Sequence, residues 1–236
     1  MRDSLLSAKD NRAMFDRIAR RYDLMNTILS LGQHRRWRRK AVRKMKLRAS
    51  GRYLDVGCGT GDVAIEILQQ CPGCTVVGID PAEGMLDLGR RKITEAHLTE
   101  RAELQPGDTT RLPLEADTFD GAIAAFCLRN VTDRVGALAE MGRVVRPRGL
   151  VVILELTTPK NPLMRLGHGI YTRSLAPLLG GIIARDRGAY RYLIDSVVDF
   201  PPTDAVLEMM TRANLSNPLA IPMTGGAVTV FIAGAT

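Results

Sequence analysis

The sequence predicts an α/β protein: a doubly wound, mostly parallel sheet with helices on both faces. Three observations predict it. Between Arg52 and Leu156, short apolar runs alternate with segments of helical periodicity, which is the pattern of βαβ units. The first of those runs ends in a glycine-rich turn, "LDVGCGTGD" at 54–62, where a strand hands over to a helix. The 236 residues, 45% hydrophobic and 25% charged, suit a single domain whose core needs no staples.

Residues 1–48 contain one glycine, Gly32, and no proline. Met14, Phe15, Ile18, Tyr22 and Met25 recur at helical spacing, so this region is a helix. It breaks near Leu31-Gly32 and resumes from about His34 to Leu47. Trp37, Ala41 and Met45 form a narrow apolar stripe on that second helix. Residues 1–48 are expected to cap the 49–236 domain and to belong to it. Within that domain, strands are expected at 53–58, 75–80, 102–108, 119–128 and 149–156. Helices are expected at 62–70, 83–96 and 134–145. The alternation stops at 157–200, a helical insertion made of "NPLMRLGHGIYTRSLAPLLGGIIARD" (161–186) and "AYRYLIDSVVDF" (189–200). A helix at 204–213 follows. Two apolar segments, 218–223 and 227–234, flank Gly225-Gly226 and predict an antiparallel hairpin at the sheet edge.

The chain carries a net charge of +8. Between Arg35 and Arg48 lie nine Lys/Arg and no acid, so the remainder nets to −1 and the basicity is local. No run of 18 apolar residues occurs, and "MRDSLLSAKDNRAMF" has no apolar leader core. The expected location is the cytoplasm. Cys71-Pro-Gly-Cys74 is a CxxC pair. A zinc site needs four ligands, and no second pair follows at finger spacing. Pro-Gly is ordinary turn punctuation, which favours a structural turn over a metal or redox role.

The glycines at 57, 59 and 61 bring a ligand close to the backbone at a helix N-terminus. The dinucleotide fingerprint needs a glycine where this chain has Asp62. Asp55, just ahead of the loop, would repel a pyrophosphate. It would tolerate the sulfonium and ammonium of S-adenosylmethionine. The second strand ends in Asp80, whose carboxylate can accept both ribose hydroxyls or cap the next helix. Gly107-Asp108-Thr109, after the third strand, stands where adenine contacts are expected; Asp108 is either such a contact or a turn residue. Thr60 and Ala125 complete the candidate cofactor set of Asp55, Gly57, Gly59, Gly61, Asp80, Asp108 and Thr109.

"LDVGCGTGD", "GIDPAEGML", "GDTTRLPLEADTFD" and "RVVRPRGLVVILEL" together resemble class I S-adenosylmethionine-dependent methyltransferases of Rossmann-like fold. "MFDRIARRYDLMNTILSLGQHRRWRR" (14–39), "FCLRNVTD" (126–133) and "YRYLIDSVVDFP" (190–201) are similar to the ubiquinone/menaquinone biosynthesis C-methyltransferase family of UbiE type. The resemblance covers nearly the whole chain. It implies methylation of a ring carbon of a polyprenylated quinol, such as demethylmenaquinol or the equivalent ubiquinone precursor, with no metal. It assigns Arg129 and Asn130 to the catalytic centre. A guanidinium there would stabilise a quinol oxyanion or hold a water that takes its proton; it is too basic to act as a neutral base. The structural alternative for Arg129 is an ion pair with Asp133 or another loop acid. The resemblance places Tyr22 and Asn26 against substrate, although Tyr22 also suits helix packing. His34, beside Trp37, reads as structural. The chain departs from the family pattern at Ala125, Cys127, Arg148 and the C-terminal strand.

A membrane-borne quinol makes a membrane partner for the basic helix 35–48 consistent with the chemistry; the alternative is a solvated helix face. Nucleic acid is disfavoured, because one Trp is too little aromatic interleaving. The apolar pieces between 162 and 183 could line a tunnel for a prenyl tail, form a homodimer face or be ordinary core. Two rival readings stand beside this one. The first is the same fold acting on another lipid or aromatic molecule. The second is an RNA-binding or RNA-methylating protein that uses the basic helix.

Overall fold

The computed structural model describes residues 6–159, 161 and 187–236. The insertion segment expected at 161–186, with its tunnel or dimer role, therefore lies outside the described residues apart from Asn161.

Helix α1 spans Ala8–Leu29 and is capped by Ser7, whose Oγ accepts the Asp10 N–H at 3.1 Å. It stops where Leu31 and Gly32 turn left-handed, at φ 50° and 74°. Helix α2 (Gln33–Lys44) then sets off in a new direction. Strand β1 (Arg52–Val56) leads through the glycine loop into α3 (Asp62–Gln70). β2 (Thr75–Asp80), α4 (Glu83–Glu95) and β3 (Ala102–Pro106) continue the winding. β4 (Phe119–Ala125), α5 (Arg134–Val144) and β5 (Val145–Leu156) complete the parallel part. After the insertion come α6 (Arg187–Val198) and α7 (Thr203–Arg212). The hairpin of β6 (Ser216–Met223) and β7 (Val228–Gly234) closes the chain.

The seven strands lie in the order β3-β2-β1-β4-β5-β7-β6. β7 is antiparallel to both β5 and β6; the other pairs are parallel. The edge hairpin is present as the sequence predicts, with β7 inserted between β5 and the outer strand β6. Strand alternation divides the core in two. Leu54, Val56, Val151 and Ile153 pack on one face with Leu138 and Met141 of α5 and Val206 and Met210 of α7. Tyr53, Val152 and Leu154 pack on the other with Ala41 and Val42 of α2, Ile67 of α3 and Leu86 of α4. Because β1 pairs with β2 on one side and β4 on the other, the chain reverses its winding there. A crevice opens at the carboxyl ends of those strands.

Several element ends differ from expectation. The fourth strand stops at Ala125, three residues short of Leu128. Phe126 takes a left-handed φ of 57°, and Leu128–Asn130 form a 3-10 turn. The third strand stops at Pro106, and Asp108 pairs with Arg111 in a small bridge. β5 starts early, at Val145, because that residue pairs with Phe119 across a bulge. Cys71 and Cys74 form a disulfide across the turn between α3 and β2, both buried.

The cap is held down by polar contacts. Asp16 of α1 accepts the Gly84 N–H at the start of α4 at 2.8 Å. Lys92 of α4 reaches Asp23 of α1 and Asp62 of α3. Of the nine cations in 35–48, Arg38 alone is buried, paired with Asp62; the other eight are exposed.

Candidate active site

A cavity of about 640 Å³ occupies the crevice, within the size range of small-molecule sites. Its floor is the glycine loop, through Gly57 and Gly59, with Asp80 and Pro81 after β2. One side is the turn after β3, Gly107 to Thr110. The other is the end of β4 and the turn beyond, Ala125 to Cys127 with Asn130 to Thr132. Helix α1 covers the cavity, with Asn11, Phe15 and Tyr22.

Of the candidate cofactor residues, Gly57, Gly59, Asp80, Asp108, Thr109 and Ala125 line this cavity. Gly57 has φ 67°, and a Cβ there would lie 2.3 Å from Cys127 Sγ. No other residue fits, so the loop lies flat against the β4 turn. Asp80 borders the cavity and holds two backbone N–H groups beside the start of α4. Its Oδ2 accepts the Gly59 N–H at 2.8 Å and its Oδ1 accepts the Ala82 N–H at 2.9 Å. Each oxygen retains further acceptor capacity. Burial pushes the Asp80 carboxyl up to about 6, against these two N–H donors that favour its ionised form. Asp108 makes the turn, its Oδ1 accepting from the Thr110 N–H and hydroxyl at 2.8 and 2.7 Å, and it also borders the cavity.

The other three stand elsewhere. Asp55 lies under the loop, where its Oδ2 accepts the Ala64 N–H of α3 at 3.1 Å. Its Oδ1 is buried without a partner among the described residues, and burial pushes its carboxyl up to about 7. Gly61 has φ 76° and starts α3 against Leu104 and Gly89. Thr60 donates to Asp23 Oδ1 at 2.8 Å and accepts from Lys92 at 2.9 Å, so it fastens the loop to the cap.

Asn130 lines the cavity; Arg129 does not. Arg129 is 3% exposed and pairs with Glu155 of β5, Nη1 to Oε1 at 2.9 Å. Asp133, one of the partners that the structural alternative named, caps α5 by accepting the Gly136 N–H at 2.9 Å. Arg129 Nη1 also donates to the Phe126 carbonyl. Its Nε and the Asn130 Oδ1 are buried without partners among the described residues. Tyr22 is on the wall; Asn26, one turn later on α1, is half-buried and does not line the cavity. His34 is buried, shares a 2.7 Å hydrogen bond with Ser30 Oγ, and is held down to about 4 by burial with help from Arg38.

The sequence reading missed Asn11, Phe15, Met85, Phe126 and Glu155. Asn11 is buried and donates to the Tyr192 hydroxyl at 2.8 Å. Phe126 stands edge-on to Trp37, 6.3 Å between ring centres. Glu155 had a legible signal: a lone acid inside the run "GLVVILEL" must be paired once the strand is buried. Asn11, Phe15 and Met85 follow only from how α1 and α4 lie over the crevice, and Phe126 from the left-handed turn that ends β4.

The residues fit S-adenosylmethionine. Two glycines clear the floor, the Asp80 carboxylate borders the cavity with acceptor capacity left, and beneath the loop lies an Asp55 oxygen without a partner among the described residues. Among the described residues no group of three His, Cys, Asp or Glu is placed to hold a metal, and no helix is long and apolar enough to cross a membrane.

Residues 5–234 match the model of the ubiE/COQ5 methyltransferase family. The ubiquinone/menaquinone biosynthesis C-methyltransferase UbiE of Citrifermentans bemidjiense is 44% identical over 222 residues, covering 94% of each chain. The demethylmenaquinone methyltransferase of Roseiflexus castenholzii is 39% identical over 222 residues, 92% of each. Among solved structures, a SAM-dependent methyltransferase from Thermotoga maritima superposes with a TM-score of 0.66 at 16% identity, over 96% of this chain and 100% of that one. One from Aquifex aeolicus gives 0.60 at 16% identity, over 84% and 89%. At those identities the likeness shows the fold.

Proposed function

The chain belongs to the ubiE/COQ5 methyltransferase family, and from that premise we propose that it methylates a ring carbon of a polyprenylated quinol. The substrate is demethylmenaquinol or the equivalent ubiquinone precursor, and the methyl donor is S-adenosylmethionine. One observation carries the reading. A single cavity joins the glycine loop, Asp80, Tyr22 of the cap and Asn130 of the Arg-Asn turn, so cofactor and ring share one enclosure.

In this reading Asp80 accepts the ribose hydroxyls, and Asp108 with Thr109 faces the adenine end. Ala125 keeps the wall shallow where the two ligands meet. Asp55 supplies negative charge beneath the methionine end. S-adenosylmethionine supplies an electrophilic methyl on a sulfonium. The protein's task is alignment and charge stabilisation. Asn130, which borders the cavity, orients the ring. Arg129, one layer behind, favours the oxyanion that makes the adjacent carbon nucleophilic. Phe15 and Tyr22, edge-on at 6.0 Å, shield the ring from water.

The test is transfer of labelled methyl to chemically reduced demethylmenaquinol in detergent, with RNA in a parallel tube. Label in the quinol is expected. Label in RNA and none in quinol would overturn the reading.

A quinol with a prenyl tail resides in a bilayer, and α2 offers the matching surface. Eight exposed cations lie in 35–48, and Leu31, 74% exposed, precedes them at the turn. We place the protein at an anionic membrane face through this helix. Each cation near such a surface contributes about 1 kcal/mol. The double variant Lys40→Gln/Lys44→Gln is therefore expected to weaken binding to phosphatidylglycerol vesicles by roughly 30-fold. Its turnover of detergent-dispersed quinol should match wild type. Vesicle pelleting that ignores salt and lipid charge would refute the docking.

A further inference from the structure

We propose that Glu155 is a positioning residue that sets the Arg129–Asn130 turn against the cavity. This rests on the reading of that turn as the active centre. Glu155 lies on β5, fully buried, at the end of the apolar run Leu150–Leu156. It does not line the cavity. Its carboxylate accepts three hydrogen bonds: Arg129 N–H on Oε2 at 3.1 Å, and Arg129 Nη1 and Leu156 N–H on Oε1, each at 2.9 Å. Glu155 thus grips both the backbone and the side chain of Arg129, and fixes the 3-10 turn as well as the guanidinium. Arg134 closes the turn from the other side by donating to the Leu128 and Arg129 carbonyls at 3.2 and 3.3 Å. The next residue is Asn130, which meets the cavity.

Stability alone does not account for this arrangement. A buried ion pair is replaced by well-packed apolar residues at little cost, or with a gain. The same position on a strand of Val, Ile and Leu would accept an apolar side chain readily. What an apolar residue would not do is hold a backbone N–H and a guanidinium at a fixed distance from the crevice. A shift of about 1 Å in a positioned group costs on the order of 10²-fold in rate.

Glu155→Gln keeps the shape but turns an NH2 group toward donors. It is expected to bind S-adenosylhomocysteine within about threefold of wild type, with a similar quinol KM. Its kcat should fall by about 10²-fold. A Gln variant with wild-type kcat overturns the proposal, as does one that loses cofactor binding and kcat in parallel, since that marks a purely structural role. Should Glu155→Gln fail to fold, the double variant Arg129→Met/Glu155→Met removes both buried charges together. Its folding, normal cofactor binding and a kcat below that of Arg129→Met alone support the proposal, because the single variant keeps the Glu155 grip on the backbone N–H; a kcat equal to or above that of Arg129→Met overturns it. Asn130→Ala separates the two levels. Full turnover in that variant refutes the turn as the active centre, whereas an impaired Asn130→Ala beside an intact Glu155→Gln refutes the Glu155 role alone.

Discussion

Arg129→Met is expected to lower kcat by about 10²- to 10³-fold while cofactor affinity stays near wild type. The reasoning starts from charge. Arg129 is the buried cation nearest the Asn130 turn, and it is 3% exposed. Its electrostatic field reaches Tyr22 on the cavity wall and Tyr192 beside the cap. In a water-poor enclosure a fixed cation stabilises an incipient phenolate far more than it would in bulk water. Removing it raises the pH at which the bound quinol ionises. The acid limb of the kcat profile is therefore expected to move to higher pH as well as the plateau to fall. The same substitution strands Glu155 as a buried charge, which costs about 3–5 kcal/mol of stability. Thermal unfolding should register that loss, and the assay temperature must lie below it. Arg129→Lys separates the two effects. Lysine keeps a charge for Glu155 but not the planar fork that also reaches the Phe126 carbonyl. It should recover most of the melting temperature and little of kcat. Full turnover by Arg129→Met, in folded protein that binds cofactor, would remove Arg129 from the chemistry and leave the family membership untouched.

The strands and helices were legible because their periodicities are strong. α3 and β2 fall where the sequence puts them, at Asp62–Gln70 and Thr75–Asp80. The Gly225-Gly226 break marks the edge hairpin correctly. What misled was continuity of composition. "AAFCL" is apolar throughout, so nothing in residue type announces that Phe126 turns left-handed and ends the strand. That bend carries Arg129 inward to Glu155 and leaves Asn130 on the wall. The loop acids show the same limit. Asp55 and Asp80 each stand at the end of a strand. Their different placement follows from α3, which starts immediately after the loop and draws Asp55 under its first turn through the Ala64 N–H. Thr60 lies between two glycines, yet its hydroxyl is taken by Asp23 of a helix 37 residues away. Tertiary contacts of that range leave no local trace in a sequence.

Asp80→Ala is expected to weaken S-adenosylmethionine binding by at least about 10²-fold. Two losses combine. The ribose hydroxyls lose a charged acceptor, a contribution of about 1.5–3 kcal/mol. The Gly59 and Ala82 N–H groups lose the carboxylate that aligns them, so the glycine loop no longer holds the shape that clears the cavity floor. Asp80→Asn should do little better. An amide offers one oxygen where two N–H donors need acceptors, and its NH2 would face the second donor. The wild-type affinity should also depend on pH in a definite direction. Burial pushes the free Asp80 carboxyl up to about 6, and the hydroxyls bind its ionised form. Affinity is thus full above pH 6 and declines as the pH falls through it, by up to about tenfold per unit. Asp55, pushed up to about 7, titrates just above. Measuring S-adenosylhomocysteine, which lacks the sulfonium charge, in an Asp55→Asn background isolates the lower step. Calorimetric titration from pH 8 to 5 should show that step in Asp55→Asn and lose it when Asp80 is also replaced. A flat profile in Asp55→Asn would mean that the carboxylate of Asp80 serves the loop and the helix start, and that the ribose is held by other groups.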